Sequence, residues 1–175
     1  MSEPFPYTID ELGLRQFLSE LVRIPSVNPP GNEAPVATLI AKKLKALGFE
    51  TQIVEAAPGR PNVLGRLRGT GNGPSLLLNG HMDVQPPGNH WTRDPFAAEI
   101  EDAQLYGQGA MDMKAGLAAV IYALDGLRRT GRKLTGDVIV TAVADEVCGG
   151  HLGTGLIVAE GLVKADMAVV CEPTG

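Results

Sequence analysis

One histidine and three acidic residues stand where this chain could build a metal site. Leu76-Leu-Leu-Asn-Gly-His81-Met-Asp83-Val reads as a short apolar strand that runs into a His-x-Asp. A neutral imidazole is a good zinc ligand. A carboxylate two residues further along an extended chain lies on the same side, where it can accept the ring's other N–H and set the tautomer. Downstream, Tyr106-Gly-Gln-Gly-Ala-Met-Asp112-Met-Lys-Ala-Gly116 puts an aspartate after a glycine-rich turn and before an apolar helical run. Thr141-Ala-Val-Ala-Asp145-Glu146-Val147-Cys148-Gly-Gly150 carries a strand into an acidic pair, and Ala168-Val-Val-Cys-Glu172 ends another strand in a glutamate. Each has an ordinary reading, as a helix cap or a satisfied structural histidine. Together they place His81, Asp112, Glu146 and Glu172 at element ends that converge in a wound sheet, where open α/β proteins bind ligands.

Other motifs carry less. Gly107-Gln-Gly109-Ala-Met-Asp112 begins like a dinucleotide fingerprint, but its sixth position is an aspartate, which would repel a pyrophosphate at a helix N-terminus. Gly149-Gly150 with Gly153-Thr154-Gly155 suits an anion-cradling loop yet lacks the Lys-Ser/Thr of a P-loop, and reads as a tight strand-to-helix turn. No Gly-x-Ser-x-Gly elbow is present, and Cys171 lies in an apolar strand, so nucleophilic catalysis has no candidate. His90, beside Trp91 in a Pro/Gly loop, reads as a surface residue, and Asp145 as a structural acid or a group supporting the ligands rather than a ligand itself.

The elements that must position these residues alternate between α and β. Thr8 and Glu11 form a possible capping box before Leu14, Phe17, Leu18 and Leu21 at helical spacing, and Pro25 ends that helix. A loop over 26–33 precedes a helix carrying Val36, Leu39, Ile40, Leu44 and Leu47 on one face, with Gly48 at its left-handed C-terminal position. Strands are expected over 49–54, 62–67 and 76–78, the last buried on both faces of a parallel sheet and broken by Asn79 and Gly80 so that His81 emerges at its edge. The loop over 85–95 is too proline-rich for regular structure. A buried helix is expected over 113–130, a strand over 137–142, a helix over 151–160 and a final strand over 167–171.

The chain of 175 residues is long enough for one domain with a real core. A net charge of -5 argues against a nucleic-acid groove, which needs a basic face. No apolar run is long enough to span a membrane, Met1-Ser-Glu-Pro-Phe-Pro6 lacks signal-peptide regions, and two cysteines make no disulfide framework. A cytoplasmic protein without nucleic-acid or membrane partners is expected.

With NGHMDV, YGQGAMDMKAG, ADEVCGG and CEPT in place, and Pro25-Ser-Val-Asn-Pro-Pro-Gly-Asn-Glu33 upstream, the chain resembles the zinc-dependent amidohydrolases and exopeptidases. That family includes acetylornithine deacetylase, succinyl-diaminopimelate desuccinylase, aminoacylase and glutamate carboxypeptidase. The resemblance implies a three-layer α/β/α catalytic domain, of which residues 1–175 are the N-terminal part. The inserted lid, through which the family often forms homodimers, and the rest of the catalytic domain lie outside it. It implies zinc, with cobalt or manganese able to replace it, and an N-acyl amino acid or small peptide as substrate. His81 and Glu172 would bind one metal and Asp112 would bridge two. Asp83 would support His81, and Glu146 would be the general base acting on the metal-bound water. A cis peptide bond between Asp112 and Met113 is also implied.

The family pattern is Asp-Glu-Glu, its second glutamate a ligand of the other zinc, whereas this chain has Asp145-Glu146-Val147. The remaining ligand of that second zinc is a histidine far downstream, beyond Gly175. The second site is therefore expected to be incomplete, with Cys148 and His151 as candidate substitutes. The main expectation is zinc-dependent amide hydrolysis with Glu146 as base. The rival is a truncated or degenerate non-catalytic product that binds at most one metal, and a third class is an anion-binding α/β module on the Gly149–Gly155 turn.

Overall fold

The computed structural model describes residues 7–173. The Met1–Pro6 start and Thr174 of the CEPT motif lie outside the described residues. The fold is mixed α/β. Helix α1 (Glu11–Val22) and helix α2 (Ala34–Ala46) lead into strands β1 (Glu50–Ala57), β2 (Arg60–Leu67) and β3 (Leu76–His81). After a small hairpin of β4 (Glu99–Glu101) and β5 (Gln104–Tyr106) come helix α3 (Ala115–Arg129), strand β6 (Val138–Val143), the short helix α4 (Leu156–Ala159) and strand β7 (Met167–Val170).

The main sheet has the order β1-β2-β6-β3-β7. Its first three strands pair antiparallel, and β6, β3 and β7 run parallel. As expected, β3 lies between two parallel neighbours, in a sheet whose other pairings are antiparallel. Leu76, Leu77 and Leu78 are half-buried, not fully enclosed. Alternation along β6 sends Val138, Val140 and Ala142 to the main core with the inward faces of α1, α2 and α3. Val143 joins Leu64 and Ile157 of α4 in a smaller cluster on the other face. Leu21, Ile40, Leu44, Leu117 and Ile121 are buried in the main core, each burial contributing about 1.5–3 kcal/mol.

Several local expectations need correction. Thr8 does not cap α1. Asp10 does, its Oδ1 accepting from the Gly13 amide at 2.9 Å, because the helix begins at Glu11 and a cap bonds the amide three residues on. Asn79 and Gly80 do not break β3. The Asn79 side chain accepts from the Thr141 hydroxyl on β6 at 2.7 Å, and bare Gly80 makes room for Met113 and Leu117. Met113 is not helical: it sits in a kinked turn over Ala110–Lys114, and α3 starts after it. The expected helix over 151–160 is interrupted at Gly153, so α4 keeps four residues. The β4–β5 hairpin was not expected, since its turn residues Asp102 and Ala103, both with positive φ, are not the usual Asn-Gly type.

Candidate metal centre

Sheet register brings the histidine and one acid together. Asn79 pairs with Val170 and His81 with Val143 across the parallel strands, so His81 and Glu172, each two residues beyond the Asn79–Val170 pair, leave neighbouring strand ends side by side. Glu146 follows the end of β6 by a single tight bend at Asp145, whose φ is +68°. Asp112 arrives from the turn before α3 through a cis Asp112–Met113 peptide bond, as the resemblance implies. The Met113 side chain packs beneath: its Sδ lies 3.1 Å from the His81 amide nitrogen.

The His81 ring is buried, whereas the Asp112 and Glu146 side chains are about half exposed, at 57% and 51%. Its Nε2 lies 3.0 Å from Asp112 Oδ1, 3.3 Å from Glu172 Oε1 and 3.6 Å from Glu146 Oε2. His81, Glu146 and Glu172 each offer a ligand atom, all within 4.8 Å of one another, and no second such group occurs among the described residues. Asp112, expected from the sequence as a ligand, stands against the same ring nitrogen.

The opposite side of the ring differs from expectation. His81 Nδ1 lies 2.8 Å from the Asp83 main-chain carbonyl and 3.5 Å from its carboxylate. A carbonyl only accepts, so Nδ1 carries the hydrogen and donates it. The buried Asp83 carboxylate turns instead to the glutamate's loop. It accepts from the Glu146 amide at 3.2 Å, the Val147 amide at 3.1 Å and Asn28 Nδ2 at 2.8 Å.

The arrangement fits a cation. With its Nδ1 proton committed, a neutral His81 would aim a bare lone pair from Nε2 at three carboxylates. A positive centre between them, a proton or a metal ion, removes that conflict. Burial pulls the imidazolium down, but the hydrogen bonding and charge of Asp83, with the charges of Glu172 and Glu146, outweigh it and push the pKa up to about 9. Burial also pushes Glu172 up, and the charges of Asp112 and Glu146 add to this against the pull of His81. Burial works to raise Asp83, yet the adjacent His81 ring and the hydrogen bonds from Asn28 and the Val147 amide overcome it and hold the carboxyl below its usual range.

The chain's residues 77–175 match the model of peptidase family M20/M25/M40. The chain belongs to this family. It is a family of peptidases. The chain is 37% identical over 163 residues to succinyl-diaminopimelate desuccinylase of Gluconacetobacter diazotrophicus, spanning 89% of this chain and 41% of the relative. It is 35% identical to the N-formyl-4-amino-5-aminomethyl-2-methylpyrimidine deformylase of Bacillus subtilis, spanning 91% of this chain and 38% of that protein. Among solved structures, human carnosine dipeptidase 1 superposes with a TM-score of 0.81 at 24% identity, over 94% of this chain and 40% of that one, a likeness of fold. An M20 metallo-carboxypeptidase of Sulfolobus solfataricus gives 0.74 at 26% identity, over 96% and 38%. The chain therefore spans about two fifths of the length of these relatives.

Cys148 and His151, the candidate substitute ligands, are both exposed and join no metal-binding group among the described residues. Val147 is part-buried, and its amide serves Asp83. His90 is exposed. Asp145 is buried and paired with Arg60 at 3.3 Å. Sequence reasoning missed Asn28, Arg60 and Asn62, three polar residues buried behind the site. Arg60 had no local signal, because an arginine in a Gly-Arg-Pro turn looks like a solvated one until the fold encloses it.

Proposed function

We propose that this chain holds one divalent cation, zinc by the chemistry of its donors, through His81, Asp112 and Glu172 with Glu146 beside it. On this reading it is a single-metal, non-catalytic portion of an M20-type domain. The carrying observation is the convergence of three carboxylates on His81 Nε2 while Nδ1 is committed to the Asp83 carbonyl. Support for inactivity comes from Val147, which offers no donor atom where the family pattern has a glutamate.

For the whole protein, the reading is hydrolysis of an amide in an N-acyl amino acid or small peptide. The names of its relatives, a desuccinylase and a deformylase, support removal of an acyl group. A zinc ion in this site would supply a Lewis acid that polarises an amide carbonyl and acidifies a water. Glu146 is half exposed and close to His81, placed to take a proton from the attacking water and hand it to the leaving amine. Asp83 orients both partners, its carbonyl holding the imidazole and its carboxylate the Glu146 loop.

The test is metal content after dialysis against zinc-free buffer. One equivalent is expected, and His81→Ala should lose it; a chain that keeps its metal without His81 would overturn the assignment. Assayed on several N-acyl amino acids, the chain should show no turnover dependent on Glu146. Turnover abolished by Glu146→Ala would show that one site suffices for catalysis.

A further inference from the structure

Behind the candidate metal centre lies a buried polar network that the metal reading does not use. Arg60, at the first position of β2, is enclosed and sends Nε and Nη2 to the Glu33 carboxylate at 2.6 and 2.8 Å. Nη2 also reaches Asp145 Oδ1 at 3.3 Å, and Nη1 donates to the Pro30 carbonyl at 3.2 Å. Asp145 immediately precedes Glu146 and holds a left-handed backbone that a non-glycine residue adopts at a cost. Its other carboxylate oxygen accepts from the Leu152 amide at 3.1 Å, closing the loop on itself. Two residues along β2, Asn62 accepts from the Ala144 amide at 2.9 Å and donates to the Leu152 carbonyl at 2.7 Å. The loop from Ala144 to Leu152 is thus gripped at both ends by the start of β2.

We propose that Arg60 is a positioning residue for the Glu146 carboxylate, acting through Asp145. The proposal rests on the reading of the His81 cluster as a cation site. The bend at Asp145 sets the direction in which Glu146 leaves β6, and the guanidinium holds that bend from behind. Asn28 joins the two halves, with Nδ2 2.8 Å from Asp83 and 3.4 Å from Asp145. Arginine suits the task because its planar fork serves two carboxylates at once, whereas a lysine ammonium is a point charge. Two buried acids, Glu33 and Asp145, share this one cation.

Two substitutions test this in the 175-residue chain. Arg60→Lys keeps the charge and loses the fork. Asp145→Asn keeps an acceptor for Leu152, tolerates the left-handed backbone and weakens the pairing with Arg60. Each is made with Glu146 intact and again with Glu146→Gln, and zinc affinity is titrated in all. With Glu146 intact, each substitution should weaken zinc binding about ten-fold or more, the effect usual for groups that orient a metal site. With Glu146→Gln, neither should change it. An equal loss in both backgrounds would mark Arg60 as a general structural residue and overturn the proposal, as would no loss in either. If Arg60→Lys lacks a cooperative thermal transition, Asp145→Asn decides. If the unsubstituted chain binds no zinc, the cation-site reading falls, and the proposal is decided by proton NMR of the metal-free chain. There, a cross-relaxation peak between the His81 ring and the Glu146 side chain should be present, and either substitution should abolish it. A peak that survives both, or is absent from the start, would overturn the proposal.

Discussion

Asp83 serves His81 and Glu146 with different atoms. Its main-chain carbonyl takes the imidazole Nδ1–H at 2.8 Å, while its carboxylate takes the Glu146 amide at 3.2 Å and the Val147 amide at 3.1 Å. One residue thereby fixes the tautomer of a candidate ligand and the seat of the candidate base. The carbonyl survives any side-chain change and the carboxylate does not.

Asp83→Ala should therefore spare the tautomer and free the Glu146 loop. Loss of a buried acceptor leaves amides without partners, at about 1–3 kcal/mol each, and zinc affinity should fall about 10–100-fold. Chemical denaturation and competitive zinc titration measure the two effects. Unchanged affinity would show that the carboxylate has no part in organising the site.

Zinc should stabilise the chain by mass action, about 2.7 kcal/mol when free metal is a hundred times the dissociation constant. The upward shift of the thermal midpoint should vanish in His81→Ala. An equal shift in both proteins would place the metal elsewhere.

Acid stability should depend on Asp125, which lies on α3 outside the candidate site. The carboxylate is buried and accepts from Arg129 at 2.9 Å and Arg128 at 3.1 Å. Burial works to raise its pKa, but these two bonds overcome it and hold it below the ordinary 3.8. A depressed folded pKa means that the unfolded chain binds the proton more readily. The stabilisation is full above 3.8 and is lost as pH falls from there through the folded value. Urea unfolding across that window should show a shallower acid decline for Asp125→Asn than for the unsubstituted chain, and identical slopes would refute the assignment.

Gly153 packs so closely beneath the carbonyl of Ala144 that an added methyl group would run into that oxygen. Gly153→Ala should push the segment leading to Glu146, destabilising the chain by about 1–3 kcal/mol as overpacking does and weakening zinc binding in the same variant. Full stability with full affinity would show that the loop has slack.

The grouping of the candidate site was legible in the sequence because its members are marked locally. His81 and Glu172 end or follow apolar strands, Asp112 follows Gly107-Gln-Gly109, and Glu146 precedes Gly149-Gly150. Strand ends and glycine turns are short-range features, and residues placed on them can be read without knowing what they face. The same holds for Gly48, whose φ of +87° closes α2 as the sequence implies. Where a choice depended on packing, the sequence misled. Asn79 and Gly80 look like strand breakers, but a bond to Thr141 and the space claimed by Met113 keep them in β3.

What tertiary structure alone decided is the back of the site. Asn28, Glu33, Arg60 and Asn62 belong to a loop, a helix start and a strand far in sequence from Asp145, and nothing local distinguishes them from solvated polar residues. Their meaning arises when β2 pairs antiparallel with β6 and encloses them against the loop after Ala144. Away from water, each buried polar group must find a partner or forfeit its hydration energy. That demand ties Arg60 to Glu33 and Asp145, and turns Asp83 from the imidazole toward the amides of Glu146 and Val147. The sequence by itself determined which residues could meet a cation, through turn chemistry and hydrophobic patterning. Their aim was decided by long-range burial, which no short window of sequence contains.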